Sequence, residues 1–168
     1  MPQILDQIED CVPALRRYAR ALTHDPDLAD DLVQDCLERA IRKRSLWQPS
    51  GSIRSWMFRI LLNIYRSDMR RRRRSPATLS LDALPGDPRG ADVQPGRLAL
   101  ADTARAMQDL PLEQREVLLL VAVEGMSYAE TADVLSVPLG TVMSRLGRAH
   151  ATLRQLTETG KPVLRSVK

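Results

Sequence analysis

Apolar residues recur along this chain with a helical period. Leu28, Leu32, Cys36 and Ala40 fall every four residues, and Val33, Leu37 and Ile41 thicken the stripe. Val12, Leu15, Ala19 and Leu22 make an earlier stripe, and Ile53, Met57, Ile60, Leu61 and Ile64 a later one. Asp25-Pro26 separates the first two, and Gln48-Pro49-Ser50-Gly51-Ser52 the next two. Proline there removes a backbone donor, and glycine adds conformational freedom. Strand signals are scarce. Three helices before residue 75 predict a small bundle.

From Ser75 to Arg97 the pattern stops. Pro76, Pro85, Pro88 and Pro95 with Gly86, Gly90 and Gly96 exclude a long helix and predict a tether. Its ~22 residues reach on the order of 70 Å when extended, roughly two turns of duplex DNA at about 34 Å each. Helical patterning resumes near Leu98. Pro111 suits the first turn of a restarted helix, and the apolar block Val117–Val123 ends at Gly125, a C-terminal cap. Ser127 and Glu130 have the spacing of a capping box. That short helix stops near Ser136-Val137-Pro138, and a last one runs from about Leu139 to Gln155. The expected fold class is all-α, with two small helical domains joined by a flexible Pro/Gly-rich linker. The N-terminal bundle covers 9–75, the linker 76–97, a C-terminal helix-turn-helix domain 98–156, and a disordered tail 157–168.

The formal charge is only +4, and its distribution is more informative than its sum. Asp25, Asp27, Asp30, Asp31, Asp35 and Glu38 crowd one helix, whereas Arg54, Arg59, Arg66 and Arg70 through Arg74 face a lone acid, Asp68, on the next. A polyanion is drawn to the second segment and repelled by the first. An acidic face for a protein and a basic face for nucleic acid are therefore expected on one domain. Enzymatic chemistry has little support: His24 and His150 are isolated, and neither a nucleophile–base grouping nor a glycine-rich phosphate loop is present. Asp31 and Asp35 share a helix face without a histidine or further carboxylate to complete a metal shell, so neither metal nor cofactor is expected. Cys11 and Cys36 form no disulfide framework; Cys36 lies on an apolar stripe as a small hydrophobe, and nothing nearby in sequence lowers a thiol pKa for a redox role. No apolar run approaches the roughly 18 residues of a membrane span, and Met1–Glu9 has no basic-then-apolar signal pattern. A cytoplasmic location without membrane insertion is expected.

Two stretches carry candidate chemistry. On the last helix, Val142, Leu146, Ala149 and Leu153 share one face, and Thr141, Ser144, Arg145, Arg148 and Thr152 the neighbouring one. Arginine donates twice to guanine, and serine or threonine reaches phosphate or base edges, so this face suits a major groove. A solvated face is the commoner fate of such a stripe; the capped helix and tight turn before it favour recognition. The second stretch, Leu46–Arg74, holds both tryptophans, the single phenylalanine and Tyr65, interleaved with Arg54, Arg59 and Arg66. Stacking combined with phosphate neutralisation is how single-stranded DNA is held. Trp47, beside the Pro/Gly loop with Gln48, Ser50 and Ser52, is the better candidate for an unstacked base; Phe58 is expected in the core.

These residues resemble a known family. Asp30-Asp31-Leu32-Val33-Gln34-Asp35 is similar to a signature of bacterial sigma-70-family factors. Leu110-Pro111 with Arg115-Glu116-Val117, and Gly140-Thr141-Val142-Met143-Ser144-Arg145-Leu146 with Arg148-Ala149, resemble their C-terminal DNA-binding domain. Two such domains joined only by a short tether resemble the extracytoplasmic-function (ECF) subgroup, over about residues 9–156. The resemblance implies a sigma factor that binds core RNA polymerase and directs promoter-specific initiation. It assigns Asp30, Asp31, Gln34 and Asp35 to the β′ clamp helices, the Leu46–Ser52 loop to a base flipped from the −10 element, and the helix with Asn63 to −10 reading. On this footing Trp47, Gln48, Arg54, Arg59, Asn63, Arg66 and Arg70 form the −10 and melting set, and Thr141, Ser144, Arg145 and Arg148 the −35 set. Implied partners are core polymerase (through the β′ clamp helices and the β flap), promoter DNA and an anti-sigma factor. Thr131, Met143 and His150 depart from the family pattern, which has an aliphatic, a lysine and an arginine there; fewer cations weaken phosphate contact. The main alternative, an autonomous helix-turn-helix regulator binding duplex DNA without polymerase, accounts for 111–155 but leaves the acidic helix, the Trp47 loop and the arginine-rich helix idle. An adaptor that only sequesters another regulator wastes the recognition face.

Overall fold

The computed structural model describes residues 3–75 and 95–159, with backbone alone for 95–100 and 159. Among the described residues every regular element is helical. The order is α1 (Ile4–Thr23), α2 (Pro26–Arg42), α3 (Ile53–Arg74), α4 (Pro95–Asp109), α5 (Leu112–Leu118), α6 (Tyr128–Leu135) and α7 (Leu139–Thr159). None of them is long and apolar enough to cross a membrane.

The first three helices form the expected bundle. Asp25 caps α2, its Oδ1 accepting from the N–H of Asp27 at 3.0 Å and Leu28 at 3.1 Å, while Pro26 takes the first turn, where no donor is missed. His24 ends α1 in the left-handed region (φ 55°), its N–H returning to Arg20 O. Ser52 caps α3 by accepting from Ser55 N–H at 3.3 Å. The buried face of α1 differs from expectation: Ile8, Cys11, Leu15, Tyr18, Ala19 and Leu22 line it, and Val12 lies at its half-buried margin. Tyr18 belongs there because its ring meets Phe58 edge-on, centroids 5.1 Å apart and planes at 86°, the favoured aromatic geometry. Phe58 is fully buried, as expected. Cys36 is also buried, its Sγ 3.4 Å from Met57 O, and burial pushes its thiol up to about 12; burial raises Cys11 likewise. Neither thiol is in the reactive, thiolate-rich state.

The second half is built on α4 to α7. Pro111 stands at the N-cap of α5, one place before the first turn in which it was expected. After Leu118 the helix widens into π-helical turns over Leu119–Val123, with Glu124 N–H donating to Leu119 O at 3.0 Å. Gly125, at φ +65°, ends the segment, a conformation glycine adopts without a Cβ penalty. The capping box is present: Glu130 N–H donates to Ser127 Oγ at 3.1 Å, and Ser127 N–H to Glu130 Oε2 at 2.8 Å. Ser136, left-handed at φ 55°, turns the chain into α7. Val142, Leu146 and Ala149 are buried and Leu153 half-buried, as the wheel predicts. The last helix runs to Thr159, beyond the expected Gln155, because no breaker intervenes before Gly160 and Thr157 Oγ1 donates to Leu153 O. Most of the expected linker, 76–94, and the tail from 160 lie outside the described residues; the linker's last part, Pro95–Arg97, is the first turn of α4. The two halves pack together, α3 against α6 and α1 against the π-helical turns.

Thr131 is the flaw in this packing. It is fully buried in α6, and its hydroxyl has no hydrogen-bond partner. An unmet buried hydroxyl costs about 1–3 kcal/mol, and an apolar group of the same shape avoids it. Thr131→Val is expected to raise the melting temperature followed by circular dichroism; a fall would contradict this assignment.

Candidate functional site

The acidic face of α2 points outward. Ala29, Leu32, Val33, Cys36 and Ala40 are its buried residues, which leaves Asp30, Asp31, Gln34 and Asp35 exposed. Asp30 lies 3.7 Å from Arg20, and Gln34 Nε2 donates to Glu38 at 3.5 Å, both weak contacts. Asp31 and Asp35 line a shallow notch with Leu28, Tyr65, Met69 and Arg72. The exposed face of α3 is the opposite in sign. Asn63 and Arg70 lie on it, and Ser67, Arg70, Arg71 and Arg74 line an open basic surface.

Trp47 and Gln48 border a cleft of about 370 Å³ whose wall includes Ser52, Trp56, Arg59 and Asp133. Trp47 is half-buried, and its Nε1 and the Nε of Arg59 are buried donors without an acceptor. A cleft of this size, with a large aromatic face and unmet donors on its lining residues, suits a planar group rich in acceptors.

Three arginines expected to face DNA point elsewhere. Arg54 donates to Glu124 O at 2.6 Å and Glu124 Oε2 at 3.0 Å, its guanidinium 5.7 Å over the Phe58 ring. Arg59 meets Asp133 Oδ2 at 2.8 Å and its carbonyl at 3.1 Å. Arg66 grips Glu116 with both donors, at 2.9 and 2.6 Å. Arg17, from α1, clasps Glu124 in the same two-handed way at 3.0 and 2.8 Å. All three acids come from the second half, so this arginine set lines a seam between the halves. Its physical basis is burial: the Glu116 and Glu124 side chains are 1% and 0% exposed, and a buried carboxylate demands a charged partner. Arg115 completes the seam, donating to Leu22 O at 3.0 Å as well as to Met107, Gln108 and Leu110 carbonyls. Glu116 and Glu124 were missed in the sequence; an acid at each end of the apolar run Val117–Val123 was the available signal.

On α7, Ser144 and Arg148 are exposed and Thr141 is half-buried at its first turn. Arg145 leans away, its side chain 3.6 Å from Glu113 in a cleft of about 310 Å³ that Arg66, Arg70 and Arg73 also line. Of the residues expected to read DNA, Arg145 is thus drawn into the cleft between the halves.

Two family models match the chain: the Sigma2 domain of PhyR over residues 8–62, and Sigma-70, region 4 over residues 100–153. The ECF RNA polymerase sigma factor EcfG of Rhodopseudomonas palustris (strain TIE-1) is 38% identical over 154 residues, 90% of this chain and 83% of that protein. The ECF RNA polymerase sigma factor SigM of Mycobacterium tuberculosis is 36% identical over 142 residues, 84% of this chain and 70% of that protein. Among solved structures, the sigma factor RpoE in complex with the anti-sigma factor NepR from Bartonella quintana superposes with a TM-score of 0.75 at 32% identity, over 92% of this chain and 96% of that one. CnrH in complex with the cytosolic domain of CnrY gives 0.70 at 29%, over 94% and 89%.

His24, near Arg115, is expected to make folding stability depend on pH. It is half-buried with Nε2 unpartnered, and burial, then the nearby Arg115 charge, lowers its pKa below 6.5. The unfolded chain therefore takes up a proton that the folded chain resists. The stabilising contribution is complete above pH 6.5 and lost as pH falls through the lower folded-state value. Urea denaturation at stepped pH is expected to show stability dropping below this point, and His24→Asn, tolerated in the left-handed region, is expected to flatten that drop. An unchanged slope in the variant would contradict the role.

Proposed function

The chain belongs to the ECF sigma factors of the sigma-70 family, which bind core RNA polymerase and direct promoter-specific initiation, and on that premise we propose how its residues divide the task. Members of this family act as DNA-binding regulators rather than as catalysts. The observation that carries the division is the opposition of charge across one bundle: exposed acids on α2, exposed arginines on α3, and the Trp47 cleft beside them. Residues 9–75 form the unit that engages polymerase and melts DNA, and residues 98–156 the unit that reads the −35 element.

Asp30, Asp31, Gln34 and Asp35 dock on the β′ clamp helices, where an acidic rim steers and registers a basic partner. Asn63 and Arg70 meet the −10 strand. Trp47 and Gln48 receive its flipped base, since stacking on an aromatic contributes about 1–3 kcal/mol against an unstacking cost of similar size. Arg54, Arg59 and Arg66 hold phosphates of the same strand once the seam has opened. Thr141, Ser144, Arg145 and Arg148 read the −35 duplex from the major groove, with the second unit resting on the β flap. The protein works in the cytoplasm with polymerase. An anti-sigma partner is proposed by analogy with RpoE and CnrH, whose structures were solved with NepR and CnrY.

Reconstitution with core polymerase tests this assignment. Wild-type protein is expected to give promoter-dependent transcripts. Asp31→Lys/Asp35→Lys is expected to keep its helix content and lose core capture, since two reversed charges set against a basic partner slow encounter and add like-charge repulsion. Trp47→Ala is expected to bind core and promoter duplex normally but to leave unpaired thymines unreactive to permanganate. Undiminished core capture by the folded double variant would overturn the α2 assignment, and normal thymine reactivity with Trp47→Ala the loop assignment.

A further inference from the structure

We propose that Glu116, Glu124 and Asp133 form an internal stand-in for DNA phosphates: they occupy Arg66, Arg54 and Arg59 in the free chain, so that docking of the two halves and capture of a DNA strand by α3 exclude one another. The inference rests on the reading above that these arginines hold the promoter strand. It adds an intramolecular competitor for the same donors.

The chemistry of the seam supports competition. A carboxylate and a phosphate both present oxygens that match the fork of a guanidinium, and arginine serves either. Glu116 takes both donors of Arg66, and Glu124 accepts from Arg54 and Arg17 together. Asp133 accepts from Arg59 at the rim of the Trp47 cleft, so the first helix of the helix-turn-helix stands beside the site assigned to the flipped base. Closed, the seam satisfies this cleft poorly: Trp47 Nε1 and Arg59 Nε are left without acceptors. A DNA strand offers phosphate oxygens and base carbonyls to such donors, whereas Asp133 meets Arg59 here with one carboxylate and one carbonyl.

Burial orders the events. The Asp133 side chain is 68% exposed, while Glu116 and Glu124 are sealed. Solvent and salt screen the exposed pair first. The Arg59–Asp133 pair is therefore the weakest competitor that a strand meets, and the buried pairs part afterwards.

The test uses the full-length chain without polymerase, read by small-angle scattering and by anisotropy of a fluorescent oligothymidylate of about 20 nucleotides at about 50 mM salt. Wild type is expected to be compact and to bind weakly. Glu116→Gln/Glu124→Gln/Asp133→Asn is expected to expand and to bind at least about tenfold tighter, and Asp133→Asn alone to fall between, as cations return to phosphate. Adding Arg54→Ala/Arg59→Ala/Arg66→Ala is expected to erase the gain. A folded triple-acid variant with unchanged radius, or one that expands without binding more tightly, overturns the proposal. If that variant does not fold, wild type saturated with oligothymidylate decides: expansion on binding supports exclusion, and a bound but compact chain refutes it. The two readings separate with core polymerase. Normal promoter opening by Arg54→Ala/Arg59→Ala/Arg66→Ala sinks the strand-holding role itself. Lost opening in that variant, together with unchanged acid variants, sinks only the latch.

Discussion

Two carboxylates buried in the C-terminal half govern how this protein is put together. Glu116 and Glu124 are closed off from solvent, and a carboxylate so placed is costly unless a cation with good geometry meets it. The cations come from the other half: Arg66 for Glu116, Arg17 and Arg54 for Glu124. Tyr18 adds a further tie, its buried hydroxyl donating to Glu116 O at 3.3 Å. The π-helical turns over Leu119–Val123 lead directly into Glu124, at the place where α1 packs. Lysine would not replace these arginines, because a planar fork fills two carboxylate oxygens at once and a point charge does not.

The same residues connect architecture to function. A factor that recruits polymerase and opens DNA needs one surface that repels nucleic acid and one that attracts it. In the proposed division, α2 and α3 supply them side by side, separated in sequence by the Trp47 loop. The arginines of α3 divide by direction: Arg70, Arg71 and Arg74 border the open surface, whereas Arg54, Arg59 and Arg66 turn to the acids of the second half. On the proposed reading, a helix with cations on both faces serves two anionic partners in turn.

Local chemistry was legible in the sequence. Asp25-Pro26 and Ser127 with Glu130 mark helix starts through interactions between residues two or three apart, and the structure contains them. The buried faces of α3 and α7 follow from a 3.6-residue period. Features set by distant partners were not legible. Tyr18 belongs to the buried face of α1, and Phe58, forty residues on, receives its ring. Arg17 and Glu124 are 107 residues apart and Arg66 and Glu116 50 apart, so no periodicity joins them, and the pairing of these arginines with their acids had no local signature. The π-helical widening leaves no trace either, since Leu119–Val123 is uniformly apolar and fits any helical pitch.

The most direct measure of the central claim is a double-mutant cycle on Arg66 and Glu116, with unfolding free energies of wild type, Arg66→Ala, Glu116→Gln and the double variant. A charge-assisted, two-handed pair across the seam predicts a coupling of about 1.5–3 kcal/mol that persists at high salt because the carboxylate is buried. Additive effects of the two substitutions, with no coupling at any salt concentration, would contradict the account and leave the union of the two halves unexplained.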